Sequence, residues 1–465
     1  MFETMVSFTA VRTTGIYCRP GCSARPLEAN TLQFDLAAAA EAEGFRACLL
    51  CRPYRSAAPA FLAGPDIVCR AVGMILDGYL DTNTEAAMAI HLGVSSRHLR
   101  RLFWDHLGVT PNGLARSSRA HFARRLLDDT DLAIAEIAFA AGFGSVRQMN
   151  RVFKEIFRSN PTGLRAKRRK ADRLVADGGL PLRLPFEGPF DWGAMISYFK
   201  QWAIPGVEHV TENRYVRTIL IEGDPGVLEI EPLDDGHLVV VAHLPHWEGL
   251  IHITRRATAM LGLSSSSDQA RAHLTCAPVV APLVRQRPGV RVPGVWDGHE
   301  AGVLAILGQE MAPAEVRGVT GRLARSNGRP VPGLRQLGLT HTFPEPGQLA
   351  ESDLGYLDIS EALRNSVKGF SRAVADGDVA LDRTRDLDDL VESLLHVPAM
   401  TVSAAHHIAF RLGYQDAFPE RHWGLTDLMA ELESEAPEAL SEQWRPWRAL
   451  AAAHLITGRD ARRVD

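Results

Sequence analysis

Four cysteines in the segment Val11–Arg52 constrain this chain more than any other feature in it. Cys18 and Cys22 form a C-x3-C pair, Cys48 and Cys51 a C-x2-C pair, and 25 residues separate the pairs. A short pair sets two sulfurs on one side of a tight turn. Two such pairs brought together make a tetrahedral four-sulfur cage suited to Zn2+. Two plainer readings stay open: a metal knuckle that only holds a small domain together, and a pair of disulfides. No charged-then-apolar signal segment opens the chain. No apolar run approaches the ~18–20 residues that a bilayer span requires. The expectation is therefore a cytoplasmic protein with reduced thiols and no membrane partner, which favours metal over disulfide. Cys69 and Cys276 stand alone in apolar surroundings and read as buried small hydrophobes.

The words around the cysteines, RTTGIYCRPGC and EGFRACLLCRP, resemble the methyl-phosphotriester domain of the bacterial adaptive-response (Ada) regulators. The resemblance implies that Cys18 is both zinc ligand and methyl acceptor, with Cys22, Cys48 and Cys51 as supporting ligands. The activity implied is a stoichiometric transfer of methyl from a DNA methyl-phosphotriester to cysteine sulfur. The chemistry is coherent, because zinc keeps thiols ionised at neutral pH and the thiolate is the nucleophile. Four thiolates around Zn2+ carry a net charge near −2, and methylating one removes about one unit. A less negative surface is repelled less by DNA phosphates, so repair can strengthen binding. Against this resemblance the domain, residues 1–58, is N-terminally short, with ten residues before Val11.

At 465 residues a prior of ~150 residues per domain gives about three domains. The net charge of −4 conceals an asymmetry: Pro65–Arg173 holds 18 Lys or Arg against 11 Asp or Glu. A basic central block flanked by acidic parts argues for nucleic acid there.

Within that block, residues 65–170, a helix-turn-helix pattern occurs twice. Ala86–His91 reads as a short helix, Gly93 as a turn, and Ser95 or Ser96 as the cap of a second helix. That second helix carries Arg97, His98, Arg100 and Arg101 outward and Leu99, Leu102 and Phe103 inward. The pattern returns with Ala133–Ala141 as first helix, Gly142–Gly144 as turn and Ser145 as cap. Its second helix shows Val146, Arg147, Gln148, Asn150, Arg151 and Lys154 on the polar face. A helix entering a major groove needs these types: Arg for guanine, Gln or Asn for adenine, Lys for phosphate. The two copies, joined by a helix near Arg116–Leu127, resemble an AraC-type DNA-binding domain. Lys167–Lys170 reads either as a phosphate-contacting tail or as a solvated linker. Residues 171–180, with Gly178 and Gly179 near their end, read as a linker.

The remainder divides into a mixed α/β part, 181–265, and a helical part, 266–465. The stretches RQRPGVRVPGVWDGHEAGVLAILGQEMAPAEV, LLHVPAMTVSAAHHIAFRLGYQDAFPERHWGL and QWRPWRALAAAHL resemble the core of 3-methyladenine DNA glycosylase II enzymes. The resemblance implies a helix-hairpin-helix reading LPGIGPWTA, whose glycines let backbone N–H groups approach a phosphate. Here the aligned stretch is Val397–Ala405, with Ala399 and Thr401 in place of those glycines, Ser403 in place of a tryptophan and His407 in place of a tyrosine. His422 falls where the family's catalytic aspartate is expected, flanked by Asp416 and Glu420. A carboxylate there would face the cationic sugar as the glycosidic bond breaks; imidazole cannot supply that charge. The GQQVS phrase has become Gly308–Ala312.

The expected architecture is multidomain and predominantly α with α+β parts: a four-cysteine zinc domain, an all-α double helix-turn-helix domain, a mixed α/β subdomain and a helix-hairpin-helix domain of degenerate glycosylase type. Two function classes follow. One is a nucleoid-associated transcriptional regulator of the alkylation response, partnered by double-stranded DNA at promoters, by alkylated DNA and by RNA polymerase. The other is a base-excision enzyme that flips and removes alkylated purines. His422 separates them in favour of the regulator.

Overall fold

The computed structural model describes residues 8–24, 26–55, 66–169, 172–174, 178–263, 267–382, 385–420, 425 and 437–462. The chain divides into two compact units, Met1–Phe186 with His246–Arg256, and Glu187–Pro245 with Ala257–Asp465.

The first unit opens with a small sheet in the order β3-β1-β2-β4, built from β1 (Phe8–Val11), β2 (Ile16–Cys18), β3 (Thr31–Phe34) and β4 (Arg46–Ala47). β1 pairs antiparallel with β2 and β3, whereas β2 and β4 run parallel, with Tyr17 opposite Ala47. The short helix α1 (Ala37–Ala42) follows β3. Its Ala38 and Ala39, with Leu36, sit in one apolar core with Val68, Leu99, Phe103 and Val109 of the segment that follows. The zinc-type segment is thus packed into its neighbour.

That neighbour is helical: α2 (Asp66–Leu76), α3 (Tyr79–Thr82), α4 (Glu85–His91), α5 (Ser96–Leu107), α6 (Pro111–Asp129), α7 (Ile134–Ala140), α8 (Val146–Phe157) and α9 (Pro161–Ala166). Both helix-turn-helix copies form. Ser95 Oγ accepts the His98 N–H and caps α5; Ser145 Oγ does the same for Gln148 and α8. Between the helices Gly93 and Gly142 adopt φ of 72° and 77°, a conformation that costs glycine nothing. The central helix is longer than the periodicity alone suggests, because Thr110 caps it and Pro111 begins it.

The strand β5 (Leu180–Pro185) closes the continuous part of the first unit. In the second unit α10 (Trp192–Trp202) precedes an antiparallel run of β6 (Glu208–Val210), β7 (Tyr215–Ile221), β8 (Asp224–Asp234) and β9 (His237–His243). Helices dominate the rest. α11 (Leu250–Met260), whose residues up to Arg256 belong to the first unit, leads to α12 (Ser267–Leu274), α13 (Ala281–Gln286), α14 (Gly298–Leu307), α15 (Pro313–Asn327), α16 (Pro346–Glu351), α17 (Glu361–Ala375), α18 (Leu387–Leu395) and α19 (Val402–Leu412), followed by helices at Pro437–Glu442 and Arg448–Arg462. Every residue of α14 from His299 to Leu307 is buried, the mark of a helix enclosed on all sides. The charge inside this unit is paired: Arg217 meets Glu300 at 2.6 Å.

Within the expected linker Asp172 is buried, and the Leu174 N–H donates to the Asp129 carbonyl at 3.0 Å. One expectation changes, that of two buried lone cysteines. Cys276 is exposed and Cys69 half-buried; Cys276 lies just beyond α12, and its Sγ approaches the Ala272 carbonyl at 3.6 Å. No helix among the described residues is long and apolar enough to cross a membrane.

Candidate functional site: a four-cysteine centre beside two recognition helices

The parallel pairing of β2 with β4 explains why distant cysteines meet. Cys18 ends β2, Cys48 follows β4, and the Cys48 N–H donates to the Tyr17 carbonyl at 3.0 Å. Tight turns then return Cys22 towards Cys18 and Cys51 towards Cys48: Cys22 N–H donates to Arg19 O, and Arg52 N–H to Cys48 O. The four sulfurs lie within 4.8 Å of one another, and all four are free thiols. Tetrahedral zinc with Zn–S near 2.3 Å puts sulfurs about 3.8 Å apart, so the cluster fits the ion and not a disulfide pair. Burial and mutual repulsion push the Cys18 thiol well up and the Cys51 thiol up to about 12. Four thiols so placed ionise together only around a cation, which is the chemistry zinc supplies.

The sulfurs are not equivalent. Cys48 receives backbone N–H groups of Leu50 (3.4 Å) and Cys51, and Cys51 that of Arg19. Cys18 is dominated instead by burial and by its neighbouring sulfurs. A sulfur surrounded by other sulfurs keeps more electron density than one sharing it with N–H donors. Around the cage Arg19, Leu49 and Leu50 are exposed.

On α8, Arg147, Arg151 and Lys154 are exposed on one side, while Met149, Val152, Phe153, Ile156 and Phe157 are buried. Gln148 and Asn150 fold back locally: Gln148 Oε1 accepts the Gly144 N–H at 3.0 Å, and Asn150 Nδ2 donates to Val146 O. On α5, Arg97 is exposed and Arg101 lies 3.0 Å from His98 Nδ1. Arg100 is tied to Glu85 of α4, which Asn112 also approaches; it braces the two helices of the first copy.

In the second unit the helix-hairpin-helix survives as α18–turn–α19. Ala399 holds φ of 59°, so the turn is kept at the strain an alanine pays there, roughly 1–2 kcal/mol. Thr401 caps α19 through the Ala404 N–H, and its own N–H is taken by Gln309 Oε1 at 3.0 Å. His407 is fully buried, with Nε2 3.5 Å from the Tyr198 hydroxyl. Asp416 is gripped by Arg448 in a bidentate pair of 2.9 Å contacts and by Arg445. His422 lies outside the described residues.

The periodic and spacing signals did not reveal two further clusters. Tyr17 donates its hydroxyl to Glu41 Oε1 at 2.7 Å, and His121 Nε2 of α6 lies 2.6 Å from the same oxygen. Arg52, Tyr54 and Arg55 reach Asp128, Asp129 and Asp172. One local clue existed: Asp128 and Asp129 end a helix, where the dipole disfavours carboxylates.

Comparison with known proteins matches three parts of the chain. A family described as the metal binding domain of Ada matches residues 4–54, a helix-turn-helix domain residues 88–167, and the AlkA N-terminal domain residues 181–297. The chain is 36% identical over 457 residues to the "Probable bifunctional transcriptional activator/DNA repair enzyme AlkA" of Mycobacterium tuberculosis, covering 96% of this chain and 92% of that one. It is 26% identical to "DNA-3-methyladenine glycosylase 2" of Escherichia coli, over 58% of this chain and 95% of that one. With the "Bifunctional transcriptional activator/DNA repair enzyme Ada" of Escherichia coli it shares 38% identity over 25% of this chain and 32% of that one. The fold of the 3-methyladenine DNA-glycosylase from Archaeoglobus fulgidus superimposes with a TM-score of 0.50 at 15% identity, over 59% of this chain and 96% of that one. With a four-sulfur zinc site and paired helix-turn-helix units in one half and an AlkA-like fold in the other, the chain belongs to the family of bifunctional transcriptional activator/DNA repair proteins that join Ada-like and AlkA-like parts.

Proposed function

We propose that this DNA-binding, zinc-holding regulator senses alkylated DNA by accepting a methyl group on Cys18, and that its glycosylase-fold half has lost ordinary base release. The observation that carries the first part is the unequal hydrogen bonding within the cage: backbone N–H groups reach Cys48 and Cys51, which leaves Cys18 and Cys22 the more electron-rich pair, and the resemblance to the Ada regulators selects Cys18 of the two. Cys18 Sγ attacks the methyl carbon of a methyl phosphotriester from the side opposite the ester oxygen. The S–C bond forms, the C–O bond breaks, and the electron pair leaves with the phosphate as a diester anion. The product is a neutral thioether, so the step is stoichiometric. Zinc, held by Cys18, Cys22, Cys48 and Cys51, supplies the ionised thiolate at neutral pH. Exposed Arg19 beside Cys18 offers a counter-charge to the backbone being approached. Intact-mass measurement after incubation with DNA rich in methyl phosphotriesters is expected to show one methyl per chain; an unchanged mass would refute the transfer.

Metal analysis of freshly purified, reduced protein is expected to give one zinc per chain. Chelation is expected to unfold the segment around the cage, since binding free energy in small zinc modules, about 10–16 kcal/mol, is also folding free energy. Zinc-free protein with an intact fold would count against the ligand set.

Base reading is assigned to α5 and α8. Arg147 is the base-contacting side chain on α8, joined by Gln148 and Asn150 once their local bonds are exchanged for base edges; Arg151 and Lys154 meet phosphate. On α5, Arg97, His98 and Arg101 face the groove, and Arg100 contributes through its brace to Glu85. Alanine at Arg147 should cost about 1–3 kcal/mol at one base position, while alanine at Lys154 should weaken all sequences and lower the salt slope by about one. Equal losses for Arg147→Ala on specific and random duplexes would contradict the assignment. Promoters and alkylated duplexes are the DNA partners in this reading. RNA polymerase is the protein partner, because the relatives are named activators; run-off transcription with purified polymerase and methylated protein tests it.

A further inference from the structure

The cage and the DNA-binding helices are joined by buried charge. Arg52 directly follows the ligand Cys51 and adopts a left-handed φ of 50°. Its guanidinium lies 2.7 Å from Asp172 Oδ2 and 3.7 Å from Asp128 Oδ2. Arg55 reaches Asp128 at 3.4 Å, Asp129 at 3.3 Å and Asp172 at 3.3 Å. The Tyr54 hydroxyl donates to Asp128 at 3.1 Å, and its ring meets Phe157 of α8 edge-on at 6.1 Å. Arg124, one turn back on α6, pairs with Asp128 as well. The side chains of the three aspartates are 0%, 5% and 9% exposed. Buried carboxylates of this kind are strongly destabilising once a partner is removed, and here two of the arginines come from the cysteine knuckle. On the other flank Tyr17, immediately before Cys18, is tied through Glu41 to His121 of α6, whose ring lies 6.0 Å from Phe157. Arg158, capping the end of α8, donates to the Gly44 carbonyl at 3.2 Å. The first and last ligands thus each adjoin a residue fastened to α6, and both fastenings touch the last turn of α8.

We infer that Arg52 and Arg55, assisted by Tyr17 and Tyr54, are positioning residues that lock the zinc centre onto the C-terminal turn of α6 and the last turn of the recognition helix α8. The state of the metal site is therefore felt in the helix that reads DNA, and the zinc knuckle and α8 engage one duplex as one rigid surface. The inference rests on the zinc reading. Without the metal the knuckle loses its shape, Arg52 and Arg55 lose their positions, and Asp172 loses both of its arginines, while Asp128 keeps Arg124 and Asp129 keeps Arg183 at 2.6 Å.

Hydrogen exchange on the full chain, with zinc bound and after chelation, tests this. Peptides covering Leu126–Asp129 and Phe153–Phe157 should exchange at least about tenfold faster without zinc, while α14 in the other unit stays unchanged. In the double variant Arg52→Met/Arg55→Met, Asp128 keeps Arg124 and Tyr54, so the fold should persist with zinc bound. There the zinc dependence of those peptides should fall to within roughly twofold. Should that variant fold poorly, Asp172→Asn neutralises the carboxylate that Arg52 and Arg55 share and should give an intermediate dependence. Wild-type peptides indifferent to zinc would overturn the inference. So would a variant, double or single, that keeps the full wild-type dependence. Zinc content on the same samples separates the causes: no zinc in the wild type defeats the metal reading, whereas bound zinc without coupling defeats this inference alone.

Discussion

Alkylated duplex DNA incubated with the full-length protein is expected to release no 3-methyladenine above background. Three features act on separate steps. Anchoring is weakened because the Thr401 N–H is already engaged by Gln309 and Ala399 carries a Cβ where the backbone would meet phosphate. Stacking is lost because Ser403 and His407 replace the aromatic pair and His407 is fully buried; base–aromatic stacking is worth about 1–3 kcal/mol per base. With His422 at the position where the glycosylase resemblance expects an aspartate, no carboxylate there is expected to oppose the developing positive charge, and loss of one such stabiliser commonly costs ~10²–10³ in rate. Asp416 is already paired with Arg445 and Arg448, which offset the charge it would need to offer. These losses need not add; acting together they are expected to put the rate near background. A His422→Asp variant separates the causes. Activity gained there means the pocket persists and the acid alone is missing; no gain implicates the hairpin and stacking positions too. Robust release by the unaltered protein would refute this part of the account.

Methyl uptake is expected to tighten binding to operator-type duplex by about ten- to thirtyfold. One unit of charge about 5 Å from a phosphate is worth about 0.8 kcal/mol in a water-like dielectric. Two or three phosphates within that range sum to about 2 kcal/mol, or about thirtyfold. Screening over a Debye length of about 8 Å confines the gain to near phosphates and makes it shrink with added salt. Cys18→Ala takes up no methyl, so its affinity should be the same before and after exposure to methylated DNA. A gain that persists undiminished at high salt would point to a change of shape rather than of charge.

Much of this was legible in the chain because the signals are local. A cap, a glycine turn and 3.6-residue periodicity lie within a few positions of one another, so both helix-turn-helix copies form where Ser95, Gly93, Ser145 and Gly142 indicate. The cage was legible because thiol chemistry and pair spacing leave few alternatives. What stayed hidden depends on pairings distant in sequence. Arg52 and Tyr54 meet Asp128 because the short turn at Pro53–Arg55 packs against α6, and no periodicity encodes that. The hairpin keeps its turn: Ala399, in place of a glycine, holds a left-handed φ of 59°. Gln148 and Asn150 have the right chemistry for adenine, but their nearest partners in the free protein are backbone groups of their own helix and turn.

The most direct test of the central claim is peptide mass mapping of the reduced protein after incubation with DNA bearing methyl phosphotriesters. The account predicts a single added methyl, confined to the peptide containing Cys18 and assigned to its sulfur by fragmentation, with Cys22, Cys48 and Cys51 unmodified. A methyl carried by any of those three instead, or by none of the four, would contradict it.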